Sequence, residues 1–139
     1  MARFLDSSIF LHAYLKPKRK LKGTEKEVKE KASAILEKVE KGEHVVTSTI
    51  HLSEAVNIVE ARLGLERAAE FLENVLTTEN IAVEEARRKD YEAALALVSR
   101  FKISPNDAVA CLVSQRMNIS EIYSSDKHFD NVPFVKRVF

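Results

Sequence analysis

Short apolar, β-rich segments alternate with longer helical segments along this chain, and that alternation limits the folds open to it. Residues 2–6 (ARFLD) read as a short buried strand and 7–15 as a first helix. Residues 16–23 (KPKRKLKG) form a basic loop with Pro17 and Gly23. Thr24 opens the next helix, with Glu27 three residues on as its partner in a capping box. Val28, Ala32, Ile35, Leu36 and Val39 make the apolar stripe of that helix, and Gly42 ends it. Residues 44–48 (HVVTS) form the second strand, followed by helices at 50–63 and 65–77 divided by Gly64. A third strand at 81–83 (IAV), helices at 84–101 and 105–118, a strand at 121–125 and a fifth at 134–138 (FVKRV) complete the pattern. Strands separated by helices imply an α/β fold: a parallel sheet of four to five strands, covered on both faces. No repeat, low-complexity segment or linker interrupts residues 1–139, so one domain is expected.

Composition narrows the function classes. A chain of 139 residues, 45% hydrophobic and 31% charged, can bury a sizeable core. The net charge of +1 supplies no global field for a polyanion, so nucleic-acid binding must rest on local charge. The single cysteine excludes an internal disulfide and fits a reducing, cytoplasmic setting. No apolar run approaches the ~20 residues that span a membrane. Asp6 interrupts the only apolar stretch near the N-terminus, which argues against a signal peptide.

Four acids stand out. Asp6 and Asp126 each fall where a strand hands over to its loop. Parallel sheets bind ligands outside the carboxyl ends of their strands, where the strand order reverses. If the first and fourth strands are neighbours, both carboxylates open into one crevice. Asp107 lies in the first turn of helix 105–118, with Ser104 as cap and Pro105 as first helical residue. Glu54 sits off the Leu52, Val56, Val59, Leu63 stripe of its helix, between Ile50 and Ile58 on a second, mostly apolar face. Each acid also has a plain structural reading. Asp6 and Asp126 serve as turn caps, Asp107 completes a capping box with Ser104, and Glu54 is an exposed or ion-paired helix residue. Together the four share one expected rim. Two like charges 4 Å apart cost about 4 kcal/mol at an effective dielectric of 20, and a cation relieves that cost.

Oxygen-only ligation suits Mg²⁺ or Mn²⁺ rather than zinc. His12, His44, His51 and His128 show no paired zinc spacing with one another or with Cys111. His51 and His128 adjoin the acids and read as secondary or packing residues. Cys111, among Val109, Leu112 and Val113, reads as core.

The ordered set Asp6-Ser7-Ser8, Glu54 in "LSEA", Asp107 in "PNDA" and Asp126 in "SSDKHF" resembles the PIN domain family, most closely its VapC-type toxins. The resemblance spans essentially the whole chain. It implies a three-layer α/β/α fold and a metal-dependent ribonuclease. Asp6, Glu54, Asp107 and Asp126 would be its acidic site, holding Mg²⁺ or Mn²⁺, with Ser8 and Ser124 in supporting roles. It also implies an RNA substrate, a small antitoxin partner and a homodimer. Basic residues to meet RNA phosphates are sought at Lys16, Lys18, Arg19, Lys20, Lys22 and Lys127, against the alternative of a solvated loop. Asp130 reads as a turn residue rather than a fifth acid. The long basic segment after the first helix departs from the family pattern.

Rivals are separable. A receiver domain would carry an acidic pair after strand one, where this chain has Asp6 and then serines. A haloacid-dehalogenase-like phosphatase would carry Asp-x-Asp, and Ser8 occupies the second position. A non-catalytic PIN domain that binds RNA or acts as a scaffold often lacks one or more of the four acids, which this chain retains. Helices 50–63 and 65–77 carry apolar residues on more than one face, including Ile58, Leu72 and Val75, as an interface or as further core.

Overall fold

The computed structural model describes residues 2–15 and 20–139. Five short strands are β1 (Arg3–Leu5), β2 (Val45–Ser48), β3 (Ile81–Glu84), β4 (Glu121–Tyr123) and β5 (Lys136–Val138). They form one sheet in the order β3-β2-β1-β4-β5, and every pairing is parallel. The helices are α1 (Ser7–Tyr14), α2 (Thr24–Glu40), α3 (Thr49–Leu63), α4 (Leu65–Thr77), α5 (Arg88–Phe101) and α6 (Pro105–Arg116), with a 3-10 turn at Lys127–Asn131.

Adjacent strand residues point to opposite faces, and so build two cores. Phe4, Val46 and Ile122 face α5 and α6, where they pack with Val109, Val113 and Phe129. Leu5, Val45 and Tyr123 face α1 to α4, with Ile9, Val59 and Phe71. Both faces of the sheet are therefore covered, giving the α/β/α layering expected of short apolar strands.

The sheet grows outward from β1 to β2 and β3, and the chain then returns to place β4 on the other side of β1. The strand order thus reverses at β1/β4, where a parallel sheet opens a crevice at its carboxyl edge. A crossover helix runs antiparallel to the strand it feeds, so the N-terminus of α6 also lies at that edge. α3 leaves β2 directly, with Ser48 as its cap: the Ser48 hydroxyl accepts from the His51 backbone N–H at 3.2 Å.

Local details depart from expectation at two places. Thr24 is the first helical residue rather than the cap, and no side-chain capping bond forms. Gly23 at φ 49° turns the chain into the helix one residue earlier, and its carbonyl accepts from Glu27 N–H. Residues 84–87 are not helical. Glu84 pairs with Ser48 in the sheet, and α5 starts only at Arg88, where Asp90 accepts from Arg87 N–H at 2.9 Å. Of the apolar residues on α3 and α4, Val75 is buried and Leu72 packs against the core, whereas Ile58, Leu63, Leu65 and Leu76 are exposed. Gly64, at φ 94°, separates α3 from α4 as the sequence indicates. Among the described residues, no helix is long and apolar enough to cross a membrane.

Candidate functional site

Asp6 follows β1 directly, and its backbone N–H bonds to Tyr123 O of β4 at 3.0 Å. Asp6 is only 4% exposed, and its carboxylate makes no bond to its own helix. One oxygen instead accepts from the buried Ser124 hydroxyl at 2.7 Å. Ser124 Oγ also accepts from Asp126 N–H at 3.0 Å, so one hydroxyl ties the acid after β1 to the acid after β4. Ser8 Oγ lies 3.3 Å from Ser124 Oγ and accepts from Ser125 N–H at 3.2 Å, which pins the start of α1 to the β4 loop. Asp126 caps the 3-10 turn, accepting from His128 N–H at 2.9 Å, and its carboxylate also lies 2.9 Å from the His128 ring.

The other Asp6 oxygen faces His51 Nε2 at 3.9 Å. His51 is fully buried, edge-on to Phe4, with Nδ1 2.6 Å from Ser48 Oγ. Among the described residues its Nε2 has no hydrogen-bond partner. Burial pushes the imidazole pKa below its ordinary value, although Asp6, Glu54 and the Asn106 backbone act the other way. His51 is therefore a neutral wall beneath Asp6.

Asp107 stands in the first turn of α6, and its backbone N–H donates to Ser104 Oγ at 3.1 Å. Ser104 thus caps α6 as the sequence indicates, yet capping does not dominate the Asp107 side chain. Its carboxyl is pushed up from 3.8 to about 7, first by burial, then by the charges of Asp6 and Asp126; a hydrogen bond with Ser104 opposes this and one with Asp126 adds to it. One turn on, burial and then Asp107 push the Cys111 thiol up to about 12, so this cysteine is an inert core residue.

Glu54 joins the group through neighbours of the other acids. Ser7, next to Asp6, donates to Glu54 Oε1 at 3.4 Å, and Asn106, next to Asp107, donates to Oε2 at 3.2 Å. Glu54 lines a cleft of roughly 250 Å³ with Thr49, Ser53, Asn57, Tyr91 and Asn106. Asp6, Asp107 and Asp126 are thus electrostatic neighbours, with Glu54 attached at their flank. Among the described residues, no group of three or more Asp, Glu, His or Cys side chains stands close enough together to hold a metal ion as the side chains are placed.

Lys127, Lys20 and Lys22 are exposed, whereas Lys16, Lys18 and Arg19 lie outside the described residues. Asp130 is held by Arg137 at 3.1 and 3.3 Å, as a turn residue would be. Sequence reasoning singled out neither Ser7 nor Asn106 as a partner of Glu54, though both stand inside the acidic motifs. Ser48, His51 and Glu54 recur every three residues, a spacing that places them on one side of α3.

The sequence model of the PIN domain matches residues 3–135. No curated protein matches the sequence. Among solved structures, the chain is similar to Mycobacterium tuberculosis VapC20, described as a toxin cleaving the sarcin–ricin loop. The TM-score is 0.73 at 21% identity, covering 96% of this chain and 97% of that one. It is also similar to a chain in a toxin–antitoxin complex from Klebsiella pneumoniae, with a TM-score of 0.67 at 15% identity, covering 97% and 96%. A chain of Rickettsia felis VapBC2, bound to DNA from its promoter, gives 0.67 at 16% identity, covering 99% and 98%. At these identities the likeness establishes the fold.

Proposed function

The chain belongs to the PIN domain family, and we propose that it is a divalent-metal-dependent endoribonuclease, the toxin of a VapBC-type pair acting in the cytoplasm. The observation that carries this reading is that Ser124 ties Asp6 and Asp126 together at the β1/β4 edge, with Asp107 of the first turn of α6 near enough that their charges, after its burial, push its carboxyl up to about 7. A site that crowds negative charge so strongly has the donor set for a hard cation. Its donors are carboxylate oxygens, which suit Mg²⁺ or Mn²⁺. Asp6, Glu54, Asp107 and Asp126 would hold the ion. When bound, such an ion supplies Lewis acidity toward a phosphodiester and a water acidic enough to attack it.

The rest is done by the chain itself. Ser124 fixes the Asp6 carboxylate from below and the Asp126 backbone from the side. Neutral His51 fills the space under Asp6 without adding a positive charge that would compete with a cation. Asp107, with its carboxyl raised to about 7, would carry a proton part of the time near neutral pH, and a divalent cation held beside it would favour its ionised form. Exposed Lys127, next to Asp126 in the chain, offers positive charge to RNA phosphates beside the acidic floor, and exposed Lys20 offers it on the basic segment before α2. The solved relatives described as a toxin and as toxin–antitoxin complexes support an antitoxin partner. Exposed Ile58, Leu63, Leu65 and Leu76 offer apolar surface for that partner or for a second copy of the chain.

The experiment is incubation of the purified chain with structured and unstructured RNAs in Mg²⁺, in Mn²⁺ and in EDTA. Cleavage in either metal and none in EDTA is expected. Cleavage that persists in EDTA contradicts the mechanism, and binding without cleavage in every metal marks a non-catalytic relative. A second expectation concerns the basic segment. Changing Lys18, Arg19 and Lys20 together to alanine should weaken RNA binding. On single strands the salt slope should fall by up to about 0.7 for each phosphate no longer neutralised. Titrations at several salt concentrations check this, and an unchanged slope removes the segment from the RNA surface.

A further inference from the structure

Among the described residues, Glu54 differs from the other three acids in that its hydrogen bonds come from neutral side chains of two other helices, Ser7 of α1 and Asn106 of α6. We infer that Asn106 is a positioning residue that orients the Glu54 carboxylate, and that Tyr91 acts through Asn106 by fixing its amide. The inference rests on the reading of Glu54 as a cation ligand.

The relay runs across three helices. Tyr91 on α5 donates its hydroxyl to Asn106 Oδ1 at 2.9 Å, and Asn106 on α6 donates Nδ2 to Glu54 Oε2 on α3 at 3.2 Å. Each group's chemistry sets the direction. An ionised carboxylate only accepts, so Asn106 must turn its NH₂ toward Glu54. Its carbonyl is then left facing Tyr91, which can donate. Flipping the amide would set a carbonyl oxygen against a carboxylate. The relay is thus self-consistent in one orientation only.

Charge and reach explain why a neutral donor belongs here. A glutamate side chain has several rotatable bonds, and holding it in one place costs conformational entropy. A lysine or arginine would hold it equally well but would bring a positive charge into a cation site. Asn106 supplies an N–H without changing the charge beside Asp107. A carboxylate has about four lone-pair sites. Asn106 and Ser7 each occupy one, on different oxygens, which leaves the remainder for a cation. Tyr91 is 42% exposed at the polar cleft beside Glu54, so it contributes little to the core and its hydroxyl can be removed without a cavity.

The test is Mn²⁺ affinity, read from the signal of free Mn²⁺ by electron paramagnetic resonance, on the full chain without RNA. The proteins are the parent, Asn106→Ala, Tyr91→Phe, the double variant and Glu54→Gln, with melting curves in EDTA for each. Partners that orient a ligand typically alter metal affinity about 10- to 100-fold, so Asn106→Ala should weaken Mn²⁺ binding by that factor. Tyr91→Phe should weaken it in the same direction by less. The double variant should be no weaker than Asn106→Ala alone, because Tyr91 works only through Asn106. Melting in EDTA should stay at the parent's value in Tyr91→Phe, which separates orientation from stability. Unchanged Mn²⁺ affinity in Asn106→Ala and Tyr91→Phe, with a parent that binds and a Glu54→Gln that binds poorly, overturns the relay and spares the metal site. A parent that binds no Mn²⁺, or a Glu54→Gln that binds as the parent does, overturns Glu54 as a ligand and the relay with it. Should Asn106→Ala fail to fold, Tyr91→Phe decides alone, and parental affinity in it overturns the relay.

Discussion

Asp107→Asn is expected to make the metal-free protein more stable while lowering cleavage by orders of magnitude. Two effects oppose each other at this position. Loss of the negative charge from the first turn of α6 costs about 0.3–1 kcal/mol of favourable interaction with the helix dipole. Relief of burial and of repulsion from Asp6 and Asp126 acts the other way, and the rise of the carboxyl from 3.8 to about 7 says that relief is larger. Asp107 is half-buried, so solvent screening reduces the net gain to about 1 kcal/mol. The gain depends on pH in a defined sense. An acid whose folded pKa lies above its unfolded value destabilises the fold when ionised. That cost is absent below about 4, grows between 4 and 7, and is complete above 7. The variant should therefore exceed the parent most clearly near pH 8 in EDTA, and the two should converge in acid. Saturating Mg²⁺ should raise the parent's melting temperature more than the variant's, because a ligand stabilises only as far as it binds the folded state. If Asp107 were a cap alone, the variant would lose a little stability, respond equally to Mg²⁺ and cleave almost normally. Equal metal-induced shifts would remove Asp107 from the site.

The second large effect is expected at Asp6. Its carboxylate is the most buried of the four acids and receives the Ser124 hydroxyl at 2.7 Å. Asp6→Asn keeps the shape but replaces one oxygen by a donor that would face either Ser124 or His51, so it removes charge and upsets a buried hydrogen bond together. Cleavage should fall about 10²- to 10³-fold, the scale on which a single charge-stabilising group acts. Asp130→Asn is the matched control. That carboxylate is exposed on the 3-10 turn, where it pairs with Arg137 of β5, and ion pairs at the surface are worth at most about 1 kcal/mol, so cleavage should change by less than about threefold. Initial rates on one RNA substrate check both. Equal losses in the two variants would mean that any acid on this edge matters alike, and would remove Asp6 from a special place.

The backbone positions of Asp6, Asp107 and Asp126 were legible because strand ends and a helix cap fix them locally. Asp6 and Asp126 each lie just past a strand, and the Ser104-Pro105 signal puts Asp107 in a helix's first turn. The neighbouring of β1 and β4, which brings the ends together, follows from the crevice rule only as a condition, and the strand order supplies it. Other features depend on how elements face one another. Asn106 meets Glu54 only because of the rotation of α6 against α3, which no local pattern encodes. Residues 84–87 (EEAR) favour a helix by composition, but pairing of Glu84 with Ser48 draws the chain into the sheet first. Thr24 and Glu27 satisfy a capping-box pattern, yet the positive φ of Gly23 brings the helix start one residue forward, so that Thr24 is already helical. His51 read as a secondary or packing residue, and its full burial, edge-on to Phe4 and facing Asp6, depends on how α3 packs on β1.

An RNA that the protein cuts at one position, remade with a single deoxyribose there, decides whether an activated water or the RNA's own 2′-hydroxyl attacks the phosphorus. With Mg²⁺ or Mn²⁺, cleavage of the modified strand is expected at a rate close to that of the parent RNA, leaving a 5′-phosphate on the downstream product. Loss of cleavage with binding retained, or a cyclic phosphate on the upstream product, would contradict hydrolysis by the four-carboxylate site.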